Sequence, residues 1–492
     1  MSTRPLLCVT VTAATTAELR QRRDAVTEAD LIELRLDTLA DPDAAGALAG
    51  RRRPVIVTCR PTWEGGQFAG AEEERRRLLQ DALTLGAEYV DIEWKAQLDD
   101  ILVQSGGRRI VLSFHDFKSV PADLADIASA MSRTGAEVIK IAAETSRLTD
   151  CLAFLALQKT VGPSQRKVLI AMGEAGLATR VLAARFGSAW SYAGDLRVAG
   201  QVTPSALLND YHYRSVTAGT ELYGLVGSPI AHSVSPSMHN AAFRAAEIDA
   251  VYLPLPTVDP QDFITFGGAM NVKGASVTIP HKVSLLERLD HADPVSRSVG
   301  AVNTVRVREG RWDGRNTDVA GFLSPLQERG IGVRGIRAAI VGAGGAARAV
   351  AVALASEGAQ LTVHARDRDR AGDVAALGSA RVGEWPPPPG SWDLLVNCTP
   401  VGMHPDVGAM PVPAAALTGR FVYDLIYNPS VTTLLQHAAV AGCETIGGLD
   451  MLVAQAREQF HWWTAVRPSA DVMRGAAVKR LSEFSNDANH VI

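Results

Sequence analysis

Short apolar, β-branched runs recur along the first part of the chain, at residues 6–12, 31–35, 55–59, 88–93, 109–114, 137–142, 167–172 and 189–193. Amphipathic or polar stretches separate them, as at 72–86 and 121–135. Apolar runs of this length, bounded by turn residues, predict strands, and the stretches between them predict helices. About eight strands alternating with as many helices over roughly 210 residues predict a closed (β/α)8 barrel. The alternation ends in the polar, turn-rich segment 210–220, which predicts a short linker near 212–221.

A new strand-like run follows at 222–226, and a second ends in Pro280 and Lys282. Further on, the apolar run 338–341 stops at Gly342, Ala343, Gly344, Gly345 and Ala346 and resumes as an alanine-rich helical pattern. Strand, tight turn and helix with the spacing Gly342-x-Gly344-x-x-Ala347 match the dinucleotide-binding fingerprint. Gly342 permits the turn, Gly344 permits close approach of a pyrophosphate, and the helix start offers unpaired N–H groups to it. The next strand, 361–364, ends about 20 residues past the glycines, where the ribose-reading residue belongs. That end carries Ala365-Arg366 in place of an acid, which favours NADP over NAD, although Asp367 follows directly. The pattern predicts a dinucleotide-binding domain built around this turn. The segment 385–390, Trp-Pro-Pro-Pro-Pro-Gly, predicts a stiff surface loop.

A chain of 492 residues is too long for one core, so two or three domains are expected. The net charge of −4 gives no reason to expect nucleic acid or an anionic membrane as partner, and no apolar run reaches the length of a membrane span. Five widely spaced cysteines without a CxxC pair make no case for zinc or a disulfide framework, and suit a reducing cytoplasm. The start of the chain alternates threonine with apolar residues, as a strand does, in preference to a signal peptide.

In barrels of this kind the chemistry lies at the C-terminal ends of the strands. Those ends carry Glu33 and Arg35, Arg60, Glu93, His115 and Lys140, with Glu174 and Arg180 just beyond. One lysine, one histidine, several arginines and a few acids suit an anionic carbonyl substrate. Singly each has a plain structural alternative: a salt bridge at the barrel end for Lys140, a loop histidine for His115, a mutual pair for Glu33 and Arg35. In the second half, Ser233 and Ser235 precede a helix starting near Pro236, where they either cap it or hold a carboxylate.

The strings Glu33-Leu34-Arg35-Leu36-Asp37, Arg60 before Glu64-Gly65-Gly66, Val90-Asp91-Ile92-Glu93, Ser113 to Phe117, Val138-Ile139-Lys140-Ile141 and Met172-Gly173 resemble type I 3-dehydroquinate dehydratase along the whole first half. The resemblance implies that Lys140 forms a Schiff base with the substrate ketone, an attack that requires the free amine. His115 then moves the protons, Glu93 orients His115, and Glu33, Arg35, Arg60, Arg180 and Gln201 hold the substrate. The family's Ser-Ala-Pro-Gly-Gln loop reads Arg197-Val198-Ala199-Gly200-Gln201 here, so its serine contact is lost.

From 222 to 470 the chain resembles shikimate dehydrogenase, through the 227–240 segment, Ser276-Val277-Thr278-Ile279-Pro280-His281-Lys282, Asn303, Asp318, the glycine loop, Asn397-Cys398-Thr399, Asp424 to Pro429 and Gly447 to Gln455. By that resemblance Lys282 and Asp318 are the catalytic pair. Ser233, Ser235, Thr278, Asn303, Tyr427 and Gln455 bind substrate. The glycine loop, Thr399 and Gly448 bind NADP, with Arg366 and Arg370 on the 2′-phosphate. The implied domains are a barrel over 1–214, a substrate-binding domain over 222–325 completed by 446–492, and the Rossmann domain over 326–445. The implied function is Schiff-base dehydration of 3-dehydroquinate followed by NADPH-dependent reduction of 3-dehydroshikimate, without a metal. The alternatives are an NAD-dependent quinate or shikimate oxidoreductase carrying a dehydratase half, and a non-catalytic metabolite sensor on the same folds.

Overall fold

The structure is a computed structural model that describes residues 4–96, 98–194 and 200–489, with side chains up to 484. Residues 195–199, which include Arg197 and most of its loop, lie outside the described residues. The described residues form two compact units: one contains the chain up to Glu221 together with Asp249–Met270, the other contains Leu222–Ile248 and everything from Asn271 onward.

In the first unit eight parallel strands follow one another: β1 (Leu6–Val11), β2 (Leu31–Arg35), β3 (Val55–Thr58), β4 (Tyr89–Glu93), β5 (Ile110–Asp116), β6 (Val138–Glu144), β7 (Arg166–Met172) and β8 (Trp190–Gly194). Each lies beside its neighbour in sequence, and β8 pairs with β1. The remaining seam, between β7 and β8, is joined by Ala189 N–H donating to Lys167 O at 2.7 Å. The barrel is therefore near-closed, with each strand within two residues of the expected position. Strands such as Val55–Thr58 are buried at every position because helices cover the outside while side chains fill the inside. The interior includes Cys8, Ile56, Val111, Val138, Val168 and Trp190. Burying each Val or Ile fully is worth roughly 1.5–3 kcal/mol, which is what an apolar run encodes. The helix Leu124–Arg133 shows the outer layer: Leu124, Ala128 and Met131 share one helical face and are buried.

The same unit takes in Asp249–Met270, which holds β10 (Ala250–Pro256) and the helix Pro260–Ala269. The expected division at the linker gave no sign that a segment from beyond it would belong here.

The second unit contains two sheets. In the first, β9 (Glu221–Gly227), β11 (Val272–Val277), β13 (Thr304–Arg308), β14 (Arg311–Arg315) and β12 (His291–Ala292) lie in the order β9-β11-β13-β14-β12. In the second, β15 (Arg337–Val341), β16 (Gln360–His364), β17 (Arg381–Val382), β18 (Leu394–Asn397), β19 (Phe421–Asp424) and β20 (Glu444–Ile446) are all parallel, in the order β17-β16-β15-β18-β19-β20. This is the doubly wound 3-2-1-4-5-6 arrangement, whose ligand crevice opens where the order reverses, between β15 and β18. The closing helices are Gly448–Thr464 and Ala470–Asn489.

Candidate active sites

Lys140 projects into the barrel mouth from β6. Its Nζ donates to Asp91 Oδ2 at 3.1 Å and Glu33 Oε1 at 3.5 Å and lies 4.5 Å from the centre of the Tyr192 ring. Glu33 also accepts from Thr10 (2.8 Å) and Thr58 (3.0 Å) hydroxyls. The structure thus resolves the Glu33–Arg35 alternative: Arg35 instead forks onto Asp37, with both bonds at 2.8 Å.

Arg60 sits at the centre of the acidic groups. It donates to Asp91 (2.9 Å), Glu93 (2.8 Å) and the Ser113 hydroxyl (2.7 Å), which passes its own proton to Asp91 at 2.6 Å. Burial works against the guanidinium charge, yet Asp91, Glu93, Glu64 and Glu33 raise its proton affinity beyond the usual range. Burial would likewise raise the Asp91 carboxyl, but Arg60, Lys140 and His115 hold it below the usual carboxylate range.

The expected pairing of Glu93 with His115 is not what the structure contains. Glu93 is held by Arg60 and Arg75. The partner of His115 is Glu64: its Oε1 lies 2.9 Å from Nδ1 and accepts the His115 backbone N–H at 3.1 Å. The local chain explains why. Gly65 is left-handed (φ +76°), and a Cβ on Gly66 would stand 2.0 Å from Arg60 O, so only glycines allow the tight turn that returns Glu64 to the mouth. Burial, the main cause, raises Glu64 to about 7. Burial, followed by the charges of Arg60 and Lys140, pushes His115 well below its ordinary value, so the imidazole is neutral at neutral pH.

Arg180 is buried, its Nη1 reaches Tyr192 O at 3.4 Å, and its Nε has no partner among the described residues. Burial lowers its pKa to about 10, the condition of a cation awaiting an anion. Gln201 Nε2 lies 2.8 Å from where a Cβ on Gly194 would stand, which puts its amide at the end of β8. Glu174 stands exposed in the turn after β7.

In the second unit Lys282 Nζ donates to Asp318 Oδ2 at 2.5 Å. Asn303 holds the other oxygen of Asp318 (2.7 Å) and also donates to Thr317 (2.9 Å) and Gln455 (3.3 Å). Gln459, one turn beyond Gln455, ties this network down: it donates to Gln455 Oε1 (2.7 Å) and Asn303 O (3.1 Å) and accepts from Ser276 (2.5 Å). Residues four apart on a helix share a face, so the Gln455–Gln459 spacing was a usable signal. Ser233 Oγ accepts the Ser235 N–H at 3.2 Å, and Ser233 also hydrogen-bonds Tyr427, whose phenol burial pushes up. Thr278 follows β11 directly, its N–H bonded to Val226 O (2.9 Å) in β9.

The glycine loop borders this site. A Cβ on Gly345 would lie 3.5 Å from Lys282 Cδ. Gly342 has φ +115° and faces Cys398 and Thr399 at the end of β18, where a Cβ would be 3.0 Å from Thr399 Cγ2. Above Gly344 there is open space, and no side chain caps the helix Gly345–Ser356. Free N–H groups facing open space fit a pyrophosphate. Thr399 is fixed by its hydroxyl on Asn397 (2.7 Å), and Gly448 packs so closely on Leu425 that a Cβ would meet its O at 2.3 Å. At the end of β16, Arg366 and Arg370 are exposed. Asp367 caps the helix Arg368–Leu377, accepting the N–H groups of Asp369 and Arg370 at 3.1 Å each.

A buried lysine beside a carboxylate-bound histidine in a barrel, and a lysine–aspartate pair beside a nucleotide-binding turn, define a two-site enzyme of the lyase and oxidoreductase classes. Three family models match: type I 3-dehydroquinase over residues 7–218, the shikimate dehydrogenase substrate-binding domain over 225–305, and the shikimate 5′-dehydrogenase C-terminal domain over 448–478. The chain is 32% identical over 481 residues to the chloroplastic bifunctional 3-dehydroquinate dehydratase/shikimate dehydrogenase of Arabidopsis thaliana, covering 89% of this chain and 78% of the relative. It is 43% identical to an NADP-dependent shikimate dehydrogenase of Symbiobacterium thermophilum, covering 54% of this chain and 97% of the relative. The crystal structure of a shikimate dehydrogenase in complex with NADP+ superposes with a TM-score of 0.51 at 34% identity, over 54% of this chain and 97% of that one. The chain belongs to the bifunctional 3-dehydroquinate dehydratase/shikimate dehydrogenase family. It is a shikimate-pathway enzyme with 3-dehydroquinate dehydratase and NADP-dependent shikimate dehydrogenase activities.

Proposed function

We propose that Lys140 and Lys282 are the reacting lysines of the two activities, and that the observation carrying this reading is their setting. Lys140, in β6, is paired with two buried carboxylates, and Lys282, just after β11, is paired with one. Lys140 Nζ attacks the ketone of 3-dehydroquinate, and water leaves as the imine forms. The protonated imine withdraws electrons from the adjacent carbon. With Glu64 ionised and accepting from Nδ1–H, the lone pair of His115 Nε2 takes the proton from that carbon and later returns one to the departing hydroxyl. Asp91 and Glu33 keep the amine in position, and Arg35, Arg60, Arg180 and Gln201 act on the substrate's hydroxyls and carboxylate. Hydrolysis of the imine then releases 3-dehydroshikimate.

In the second unit Ser233, Ser235 and Tyr427 take the carboxylate end of 3-dehydroshikimate, and Thr278, Asn303 and Gln455 take the hydroxyls. NADPH supplies a hydride to the ketone carbon. Lys282 delivers the proton to the ketone oxygen, and Asp318 holds the ammonium towards it. Gly342, Ala343, Gly344, Gly345, Ala346, Thr399 and Gly448 would hold the cofactor, with Arg366 and Arg370 on its 2′-phosphate. The capping role of Asp367 supports this choice: its carboxylate is turned to backbone and is not the ribose-reading acid of NAD enzymes. We further assign 1–214 to the dehydratase, 222–325 with 446–492 to substrate binding, and 326–445 to the nucleotide. The reading gives no role to a metal ion. Five unpaired cysteines suit a reducing compartment such as the cytoplasm. No helix among the described residues is long and apolar enough to cross a membrane.

The test is NADPH consumption by the purified chain supplied with 3-dehydroquinate alone. Conversion through to shikimate is the expected result. Reduction of added 3-dehydroshikimate without use of 3-dehydroquinate would confine catalysis to the second unit.

A further inference from the structure

The turn Leu148–Asp150 follows β6, the strand that carries Lys140, and leads straight into the helix Cys151–Thr160. The N–H groups at the start of such an element have no partners within it and need them from elsewhere. Here Asp150 accepts those of Ser146 (2.9 Å) and Arg147 (3.0 Å). The next two are taken by Asp262, 114 and 113 residues away, at 2.9 Å from Leu148 N and 3.0 Å from Thr149 N. Asp262 also accepts the hydroxyls of Thr149 (2.6 Å) and Thr257 (3.1 Å) and is 2% exposed. It lies in Asp249–Met270, inside the span matched by the dehydrogenase substrate-binding model, yet within the barrel's compact unit.

This turn in turn bears on the next loop of the barrel rim. A Cβ on Gly173 would lie 2.6 Å from Glu144 Oε1 and 2.7 Å from Thr145 O, and Cys151 Sγ reaches Ala175 O at 3.4 Å. That loop runs into the helix Leu177–Val181, which carries Arg180. Thr145 N–H also donates to Met172 O at 3.0 Å, so hydrogen bonds link Asp262, through the segment after β6, to the loop that precedes Arg180.

We propose that Asp262 is a positioning residue for the dehydratase: by completing the helix start after β6 it fixes the rim loops that place Lys140 and Arg180 against the substrate. The roles of those two residues rest on the reading above. Asn at 262 would turn amide hydrogens towards N–H donors, Ala would remove the acceptor, and Glu would restore a carboxylate. In the intact chain, Asp262→Asn and Asp262→Ala are expected to lower dehydratase kcat/KM about tenfold, with part of the loss in KM through Arg180. The kcat and KM for 3-dehydroshikimate reduction are expected to stay at the wild-type values, and Asp262→Glu is expected to recover much of the dehydration. Dehydratase kcat/KM within about twofold of wild type would overturn the proposal. So would equal losses in both activities that follow the folded fraction, with no recovery in Asp262→Glu. Borohydride trapping of substrate on Lys140 in the wild-type chain is a separate arm. It reports on the attacking residue alone, whereas the Asp262 kinetics hold whichever residue attacks.

Discussion

Lys140 and Lys282 each face a carboxylate, but their surroundings differ in ways that suit different chemistry. The Lys140 side chain is 6% exposed and shares two carboxylates, which are themselves tied to Arg60, Ser113 and two threonines. Lys282 is 19% exposed and meets one carboxylate, at 2.5 Å. A nucleophile that forms a covalent bond needs a fixed trajectory and a dry site, which a many-membered buried network supplies. A group that only delivers a proton needs a partner to orient it and access to a proton source, which one contact at the edge of solvent supplies. Under the roles proposed for them, the same residue type would be set to two tasks by the number and burial of its neighbours.

The strongest way to break this contrast is to remove each lysine. Lys140→Ala is expected to abolish dehydration, by about a thousandfold or more, while reduction of supplied 3-dehydroshikimate continues. It also removes the ammonium that Glu33 and Asp91 share and leaves Asp91 paired with Arg60, so the variant is expected to be destabilised by about 3 kcal/mol. Lys282→Ala is expected to lower reduction by about 10²–10⁴-fold with dehydration intact. Its stability cost should be smaller than that of Lys140→Ala, because Lys282 is itself partly exposed and Asp318 keeps the amide of Asn303. Paired melting curves and separate assays of the two activities check both statements. Equal destabilisation by the two substitutions would remove the distinction between a buried network and a rim pair.

A smaller effect sharpens the barrel side. Glu64→Gln removes the carboxylate that fixes the Nδ1–H tautomer of His115. It is expected to lower dehydration about ten- to a hundredfold while leaving borohydride trapping on Lys140 in place. Glu93→Gln should cost stability through Arg60 and Arg75 without the same selective loss, and a reversal of the two phenotypes would restore the partner expected from sequence.

That Glu64 rather than Glu93 reaches His115 marks where sequence reasoning stopped. Strand positions were legible to within two residues because burial on both barrel faces writes continuous apolar runs, and the nucleotide turn was legible because a glycine such as Gly342, at φ +115°, marks the break between strand and helix. Charged residues set within those apolar runs, such as Lys140 in β6 and Glu33 in β2, stood out against them for the same reason. Glu64 is not on a strand. It arrives through a left-handed glycine turn, 51 residues from the histidine it serves. Its only signal was a glutamate beside two glycines. Asp91 had a clearer one, since it precedes Glu93 by two and so shares its strand face. Asp262 had none, because nothing local to it distinguishes a carboxylate that caps its own helix from one that caps another.

On the nucleotide side, Arg366→Ala is expected to raise the KM for NADPH about tenfold and leave that for NADH nearly unchanged, as loss of a charge contact with the 2′-phosphate requires. Equal changes for both cofactors would take Arg366 out of the phosphate site. Steady-state kinetics with saturating 3-dehydroshikimate give both constants from one preparation.

The smallest expected effect contrasts two buried histidines. His115 in the barrel has a carboxylate at Nδ1, whereas His239 in the second unit packs against the rings of Trp463 (5.1 Å) and Phe460 (6.4 Å). Burial alone lowers His239 from 6.5 to about 3. The folded chain therefore keeps this ring neutral in mild acid while the unfolded chain protonates it. The unfolded state binds the extra proton below pH 6.5, so stability contributed by this group is full above that pH and falls as pH drops towards about 3. One such proton costs about 1.4 kcal/mol per pH unit, or about 2 kcal/mol between pH 7 and pH 5. His239→Phe keeps an aromatic ring and removes the titration. The wild-type chain should lose more thermal stability than His239→Phe on going from pH 7 to pH 5, with both losing dehydrogenase activity at their own melting temperatures. Identical pH dependence in the two chains would mean that His239 takes up its proton in the folded chain as readily as in the unfolded one, and would end the assignment of acid sensitivity to its burial.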